Sequence, residues 1–271
     1  MPPWVLIGCG YVGTKLARRL VGRGDDVTIA RRDPEAVERI VNELGVRGIR
    51  ADLELPATLA GVVPPDAIVV CLAPPGNDPA AEIAALVAAA GPAQRIVYVS
   101  STGVYAPGKG EWVDEAWPLA PETQSGRARL AAEAALGEAK APWTVLRVAG
   151  IHGPDRGIAD RIRDGSYRIV GDGTSHVSRI HVADLVTAII AAGEGSVDGF
   201  VNVADDDPAP IGEVADAVAH KLGQPPPPRV APENVSAEVG GMLMANRKIA
   251  NRRLKQELGV TLEYPSWRDA V

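Results

Sequence analysis

VLIGCGYVGTKLARRLVGRGDDVTIARR, residues Val5 to Arg32, decides how this chain is read. A short apolar run, Val5-Leu6-Ile7, leads into Gly8-Cys9-Gly10-Tyr11-Val12-Gly13. A helical stretch follows with Leu16, Ala17 and Leu20 on one face, then a Gly-Asp turn and a second apolar run, Val27-Thr28-Ile29. Strand, glycine turn, helix and strand in that order form the unit that seats a dinucleotide. Gly8 permits the tight turn, Gly10 lets the backbone approach a pyrophosphate, and Gly13 lets the helix pack against the strand. The helix start, with Tyr11 and Val12, offers unpaired N–H groups to the phosphates. The competing reading is a glycine-rich turn that binds nothing.

The residues after the second strand bear on which dinucleotide is bound. An NAD site usually carries an acid there for the adenosine ribose, but this chain has Ala30-Arg31-Arg32, with Arg31 in the acid's place. A guanidinium pairs with a phosphate dianion and has no acceptor for a ribose hydroxyl. NADP(H) is therefore expected over NAD(H), with Arg31 and Arg32 near its phosphate. Alternatively both arginines are solvated, or Arg32 pairs with Asp33 or Glu35.

The chain has 271 residues, 46% of them hydrophobic, enough for a substantial core in one large or two interlocked domains. A net charge of -6 with scattered basic residues argues against a nucleic-acid partner. Cys9 and Cys71 both fall in or beside expected strands, which fits a reduced, disulfide-free protein and offers no metal-ligand spacing. With no signal-peptide pattern and no apolar run of membrane-spanning length, a cytoplasmic location without membrane contact is expected.

Alternating patterns predict strands at 4–8, 26–30, 47–51, 67–72, 96–100 and 143–148. Helices at about 11–22, 34–44, 79–90 and 122–140 are expected between them. This predicts an α/β, Rossmann-type doubly wound parallel sheet with helices on both faces. Asp52-Leu53 follows the third strand, and Leu72 leads into Ala73-Pro74 after the fourth. Both stand at strand carboxyl ends, where such sheets bind ligands. These five residues are cofactor candidates, with Asp52 equally readable as a turn cap. Beyond Gly153-Pro154 the pattern loosens, and helices are expected near 182–193, 211–222 and 246–258, with a strand near 199–203. The basic residues of the last helix, Arg247 among them, read as a solvated face. The dinucleotide domain is expected to comprise 1–154 and 181–204, and a small substrate domain 155–180 and 205–271.

Taken together, GCGYVGTKLARRL, ADL at 51–53, YVSSTGVYAP at 98–107, RLAAEAAL at 129–136, VLRVAGIHGP at 145–154 and RIHVADLVTAI at 179–189 resemble the extended short-chain dehydrogenase/reductases. The C-terminal ANRKIANRRLKQELGV and YPSWRDAV look like its atypical, epimerase/dehydratase-like branch. The resemblance implies NADP(H)-linked redox or epimerase chemistry on a small hydroxyl or carbonyl compound, including sugar- or nucleotide-linked ones. It also brings the expectation of a homodimer through a four-helix contact.

In that family a Ser or Thr orients the substrate oxygen, a Tyr moves a proton, and a Lys lowers the Tyr pKa while holding the nicotinamide ribose. Ser101, with Thr102 beside it, matches the first position as a substrate contact. The Tyr position holds Ser125 and the Lys position holds Arg129. A serine hydroxyl is too weak an acid to replace phenol, and Arg129 stays protonated. Arg129 could still hold the nicotinamide ribose or an anion. Three explanations stand. Another group supplies the proton, Tyr105 or His152 being the candidates. The reaction needs no strong acid. Or the protein binds NADP(H) as a sensor or scaffold without turning it over. Tyr105 reads equally as a packing aromatic, and His152 as a hydrogen-bonded residue lining the cleft.

The resemblance gives Arg179 to the phosphates of an anionic substrate, with a brace against Asp184 as the alternative. His181 and Asp184 are expected to link that loop to the next helix. The EWVDE segment at 111–115 is expected to border the cleft. The dehydratase Asp-Glu pair is missing, since Thr102-Gly103 stand there, and Ile7 replaces a further family glycine. No HExxH or Cys/His cluster suggests a metal, and no GxSxG elbow surrounds Ser100 or Ser101.

Overall fold

The computed structural model describes residues 1–91 and 93–270. The N-terminal part runs β1 (Trp4–Ile7), α1 (Tyr11–Gly22), β2 (Val27–Arg31), α2 (Pro34–Leu44), β3 (Arg47–Arg50), β4 (Ile68–Cys71) and α3 (Pro79–Ala89). It continues through β5 (Arg95–Ser101), β6 (Trp112–Val113), α4 (Gln124–Leu136), β7 (Trp143–Val148), β8 (Gly150–His152) and α5 (Ala159–Arg163). Then come β9 (Ile169–Val170), β10 (His176–Val177), β11 (Arg179–His181), α6 (Val182–Glu194), β12 (Gly199–Val203), β13 (Ala209–Pro210) and α7 (Ile211–Lys221). The chain ends with β14 (Arg229–Val230), α8 (Ala237–Leu243), β15 (Lys248–Ile249) and α9 (Arg252–Gln256).

Seven parallel strands form the central sheet in the order β12-β7-β5-β4-β1-β2-β3. The order reverses at β1, the place where open α/β sheets seat their ligands. Side chains alternate faces along each strand, so neighbours in sequence enter different cores. Leu6, Val70 and Val97 pack with Leu16, Leu20, Leu185 and Ile189 of α1 and α6. Val5, Val69 and Ile96 pack on the other face with Ile83 and Leu86 of α3 and Leu136 of α4. Apolar runs buried on both faces are what a doubly wound parallel sheet requires. The fold is therefore the Rossmann-type α/β sheet expected.

Helix boundaries follow local chemistry. Asp33 and Asp78 each accept a helical N–H, and a proline follows each at the first helical position. Thr123 accepts from the Gly126 N–H, so α4 starts at Gln124 and stops at Leu136, inside the predicted 122–140 span. A separate, smaller core gathers Ile162, Tyr167, Ile169, Ile211, Val214, Val218 and Trp267.

The helix expected over 246–258 is corrected. Lys248–Ile249 is a strand pairing in parallel with Trp112–Val113, and only Arg252–Gln256 is helical. Asn246 takes a positive φ of 46°, which a continuous α-helix does not tolerate. Arg247 is no solvated face: its guanidinium donates to the carbonyls of Tyr105 and Ala106. Ile249 and Leu254 are both buried, one in the strand and one in the short helix, so the apolar residues of this stretch belong to two elements. Among the described residues, no helix is long and apolar enough to cross a membrane.

Candidate functional site

A cleft of about 1510 Å³ opens along the carboxyl ends of the sheet strands. Its floor begins at the glycine turn. Gly8 has φ +84°, and a Cβ there would lie 2.4 Å from the Ala73 backbone nitrogen. Only glycine satisfies both conditions. A Cβ on Gly10 would meet nothing nearer than 4.0 Å, which leaves the turn open to close approach. Gly10 caps α1 with no side-chain hydrogen bond, so no side chain takes the N–H groups of the first turn. Gly13 packs on Cys9, its Cβ position lying 3.2 Å from the Cys9 Sγ. This open, electropositive turn fits a dinucleotide pyrophosphate.

Other cofactor candidates are placed more variously. The Tyr11 hydroxyl donates to the Pro154 carbonyl at 2.6 Å, joining the turn to the loop after β8. Leu72 and Pro74 line the cleft with Tyr11 and Val12, and Ala73 is the backbone against which Gly8 packs. Arg31, at the end of β2, donates to the Cys9 carbonyl at 3.0 Å and is thereby held beside the turn. Arg32 is exposed.

Asp52 is a turn cap, with its carboxylate accepting from the Glu54 N–H at 3.1 Å and its own N–H donating to the Thr58 hydroxyl. Leu53 is buried in the core beneath. Neither lines the cleft. Both follow strand β3 at the edge of the sheet, one strand beyond the Arg31 end of β2.

At the reacting end, Ser101 and Thr102 line the cleft, and Ser101 Oγ accepts from the Gly103 N–H at 3.0 Å. Ser125 and Arg129 lie there too, one helical turn apart on α4. The Ser125 hydroxyl is already given to the Glu238 carboxylate, which also accepts from the Gln124 and Ser125 N–H groups. Arg129 donates to the Val99 carbonyl at 2.6 Å and to the Tyr98 hydroxyl at 3.3 Å.

Tyr105 as a proton donor is corrected. It is fully buried and absent from the cleft wall. Its hydroxyl donates to Asn202 Oδ1 at 2.7 Å and accepts from Arg147 at 3.1 Å, and burial pushes its pKa up to about 12. Around it runs a closed buried network. Arg147 pairs with Glu133 at 2.8 Å, and the Ser100 hydroxyl donates to the same carboxylate at 2.6 Å. The network ties α4, β5, β7 and β12 together beneath the cleft.

His152 lines the cleft and its Nε2 is buried without a partner. Its ring meets His181 edge-on at 5.4 Å. Burial, with His181 and Arg179 nearby, pulls its pKa down to about 4, so the imidazole is neutral at physiological pH. Arg179 lines the cleft with one terminal nitrogen buried and unpartnered. It does not brace Asp184, whose carboxylate accepts from the Glu263 and Tyr264 N–H groups instead. His181 caps α6 through the Ala183 N–H, so both residues hold structure. Glu115 of the EWVDE segment accepts from the Asn202 N–H, and this segment is absent from the cleft wall.

Glu238 lies in no motif of the sequence, and Glu133, Arg147 and Trp267 lie inside motifs that assigned them no role. Each acts across more than a dozen residues of separation, and only their partners give them meaning. Among the described residues, no three His, Cys, Asp or Glu gather as metal ligands.

The profile of the NAD(P)H-binding family matches residues 8–192. A 3-diazoavenalumate denitrifying reductase from a Streptomyces species is 35% identical over 138 residues, covering 47% of this chain. The match spans only 45% of that enzyme's length. A conserved protein of unknown function from Silicibacter pomeroyi superposes with a TM-score of 0.86 at 30% identity, over 100% of this chain and 96% of that one. The human epimerase family protein SDR39U1, solved with NADPH, shares the fold at 22% identity (TM-score 0.80; 98% of this chain, 97% of that one). With its open glycine turn at the sheet's switch point, this chain belongs to the NAD(P)H-binding family.

Proposed function

We propose that this protein is an NADP(H)-dependent oxidoreductase acting on a small anionic compound by a hydride transfer that needs no strong side-chain acid. When bound, the nicotinamide supplies or accepts the hydride. The observation that carries the reading is the occupation of the Tyr and Lys positions. Ser125 gives its hydroxyl to Glu238 and Arg129 gives its guanidinium to the Val99 carbonyl, in the same cleft that opens on the glycine turn.

Each remaining group has a role its chemistry permits. The α1 N-terminus and glycine turn hold the pyrophosphate. Arg31, steadied by the Cys9 carbonyl, takes the 2′-phosphate, which favours NADPH over NADH. Ser101 and Thr102 orient the reacting group. Arg179 attracts the substrate's negative charge, its free buried nitrogen being a donor without an internal acceptor. His152, held neutral, hydrogen-bonds to substrate without donating a full proton. A substrate that accepts hydride at an already electron-poor centre suits this arrangement. The denitrifying reductase among the relatives is consistent with such chemistry.

The test is NADPH oxidation followed by absorbance over a panel of carbonyl compounds, conjugated acids and diazo acids. Turnover that survives Ser125→Ala and His152→Ala within about threefold supports the reading. A drop of 100-fold or more in either variant, about 2.7 kcal/mol of lost barrier reduction, would show that one of them is the acid. No turnover on any compound, with NADPH still bound, would favour a non-catalytic sensor.

A further inference from the structure

One wall of the cleft differs in kind from the rest. Segment 235–245, centred on α8, is contributed from far along the chain and lines the cleft with Val235, Val239, Met242 and Leu243. Within α8, positions 239, 242 and 243 are spaced i, i+3 and i+4, so they share one helical face. That face is apolar, yet Val239 is 42% and Met242 58% exposed, and α8 has no buried residue of its own. Large apolar side chains on a helix that buries nothing have no packing reason to be there. They do line a ligand cleft.

Glu238, one helical turn before Met242 at the edge of that face, fixes the wall in place. Its carboxylate accepts from the Gln124 N–H at 2.8 Å, the Ser125 N–H at 3.2 Å and the Ser125 hydroxyl. Beside it, a Cβ on Gly241 would lie 2.9 Å from Thr123 Cγ2, so α8 sits directly on the start of α4. The wall is thereby continuous with Thr123 and Ser125, which also line the cleft.

We infer that segment 235–245 is the substrate-selecting wall, that it takes an acid with an apolar, ring-sized body rather than a sugar, and that Glu238 is the positioning residue that sets the wall against the site. This rests on the oxidoreductase reading above and adds the substrate class to it. Hydroxyl-rich sugar rings against Val239, Met242 and Leu243 would lose water without gaining hydrogen bonds, whereas an apolar ring gains from burial there. The acid's charge would be met by Arg179, which lines the same cleft and has a buried terminal nitrogen without a partner.

Calorimetry on NADPH-saturated protein tests this with acetate, benzoate, 2-naphthoate and UDP-glucose as probes. Affinity is expected to rise about tenfold or more from acetate to 2-naphthoate, with UDP-glucose weaker than 2-naphthoate. Val239→Ser and Met242→Gln, both at exposed positions, should cut that gradient to about threefold or less without changing melting temperature or NADPH affinity. Glu238→Gln should also flatten the gradient, because the neutral amide holds the α4 start less firmly. Equal affinities across the acids, tighter binding of UDP-glucose, or a gradient unchanged in all three variants would each overturn the inference. Failure of NADPH to bind before any acid is added would instead overturn the underlying oxidoreductase reading.

Discussion

The two ends of the cleft are built in opposite ways. The nucleotide end comes from one continuous stretch, β1-α1-β2, in which the turn, the helix start and Arg31 are at most 23 residues apart. The substrate end is assembled from β8, β11, α4, α8 and the C-terminal segment, joined by pairings such as Gly150 with Arg179 and by the Glu238 contact to α4. At the first end backbone geometry does the binding, and side chains mainly support it. At the second end the chemistry belongs to side chains whose roles depend on distant partners. The buried Glu133–Arg147 pair lies between the ends and couples them, since it fastens α4 to the sheet.

That coupling is the largest effect to test. Glu133→Ala leaves Arg147 buried without its carboxylate and should cost about 3–5 kcal/mol of stability by urea unfolding. A double replacement, Glu133→Leu with Arg147→Met, should cost markedly less, because no charge is then stranded. Equal losses would mean that the pair contributes by packing alone.

At the nucleotide end, Gly8→Ala must hold a positive φ and push against the Ala73 backbone, for an expected loss of about 2–4 kcal/mol in unfolding free energy. A smaller, purely binding effect is expected from Arg31→Asp, which should weaken NADPH by about 1–3 kcal/mol in fluorescence titration and leave NADH nearly unchanged. Equal weakening of both would remove Arg31 from cofactor selection.

A pH-dependent effect sharpens the substrate end. Burial pushes the Asp205 carboxyl pKa from 3.8 up to about 7, and one of its oxygens has no partner. Because the folded pKa lies above the unfolded one, this group's contribution is fully present below about pH 3.8 and is lost as pH rises through about 7. Asp205→Asn should therefore raise the melting temperature at pH 7.5 and by less at pH 5. A uniform shift at both values would assign the change to something other than ionisation.

Much of the nucleotide end was legible because its parts are local. Gly8, Gly10 and Gly13 carry conformational and steric requirements that a sequence states directly, and the alternating apolar runs gave the sheet. Asp52 stood open between a cofactor contact and a turn cap, and its place at the edge strand β3 could not be read from motif spacing. Tyr105 stood open between proton donor and packing aromatic because a tyrosine after a strand looks the same whether it faces a cleft or a buried Arg147. The 246–258 stretch is not one helix because Ile249 and Leu254 lie in two different elements, separated by a short link that residue types alone do not mark.

By itself, the sequence determined the class of fold, the position of the dinucleotide turn, and the presence of Ser125 and Arg129 one helical turn apart on α4. All three depend on short-range geometry or on residue identity at one site. Tertiary structure alone decided that Ser125 is held by Glu238, that Tyr105 is locked inside, that burial pulls the His152 pKa down and that apolar residues of α8 line the cleft. Those properties arise from burial and from partners 20 to more than 100 positions away, whose contribution depends on the low-dielectric, water-poor contacts that only folding creates.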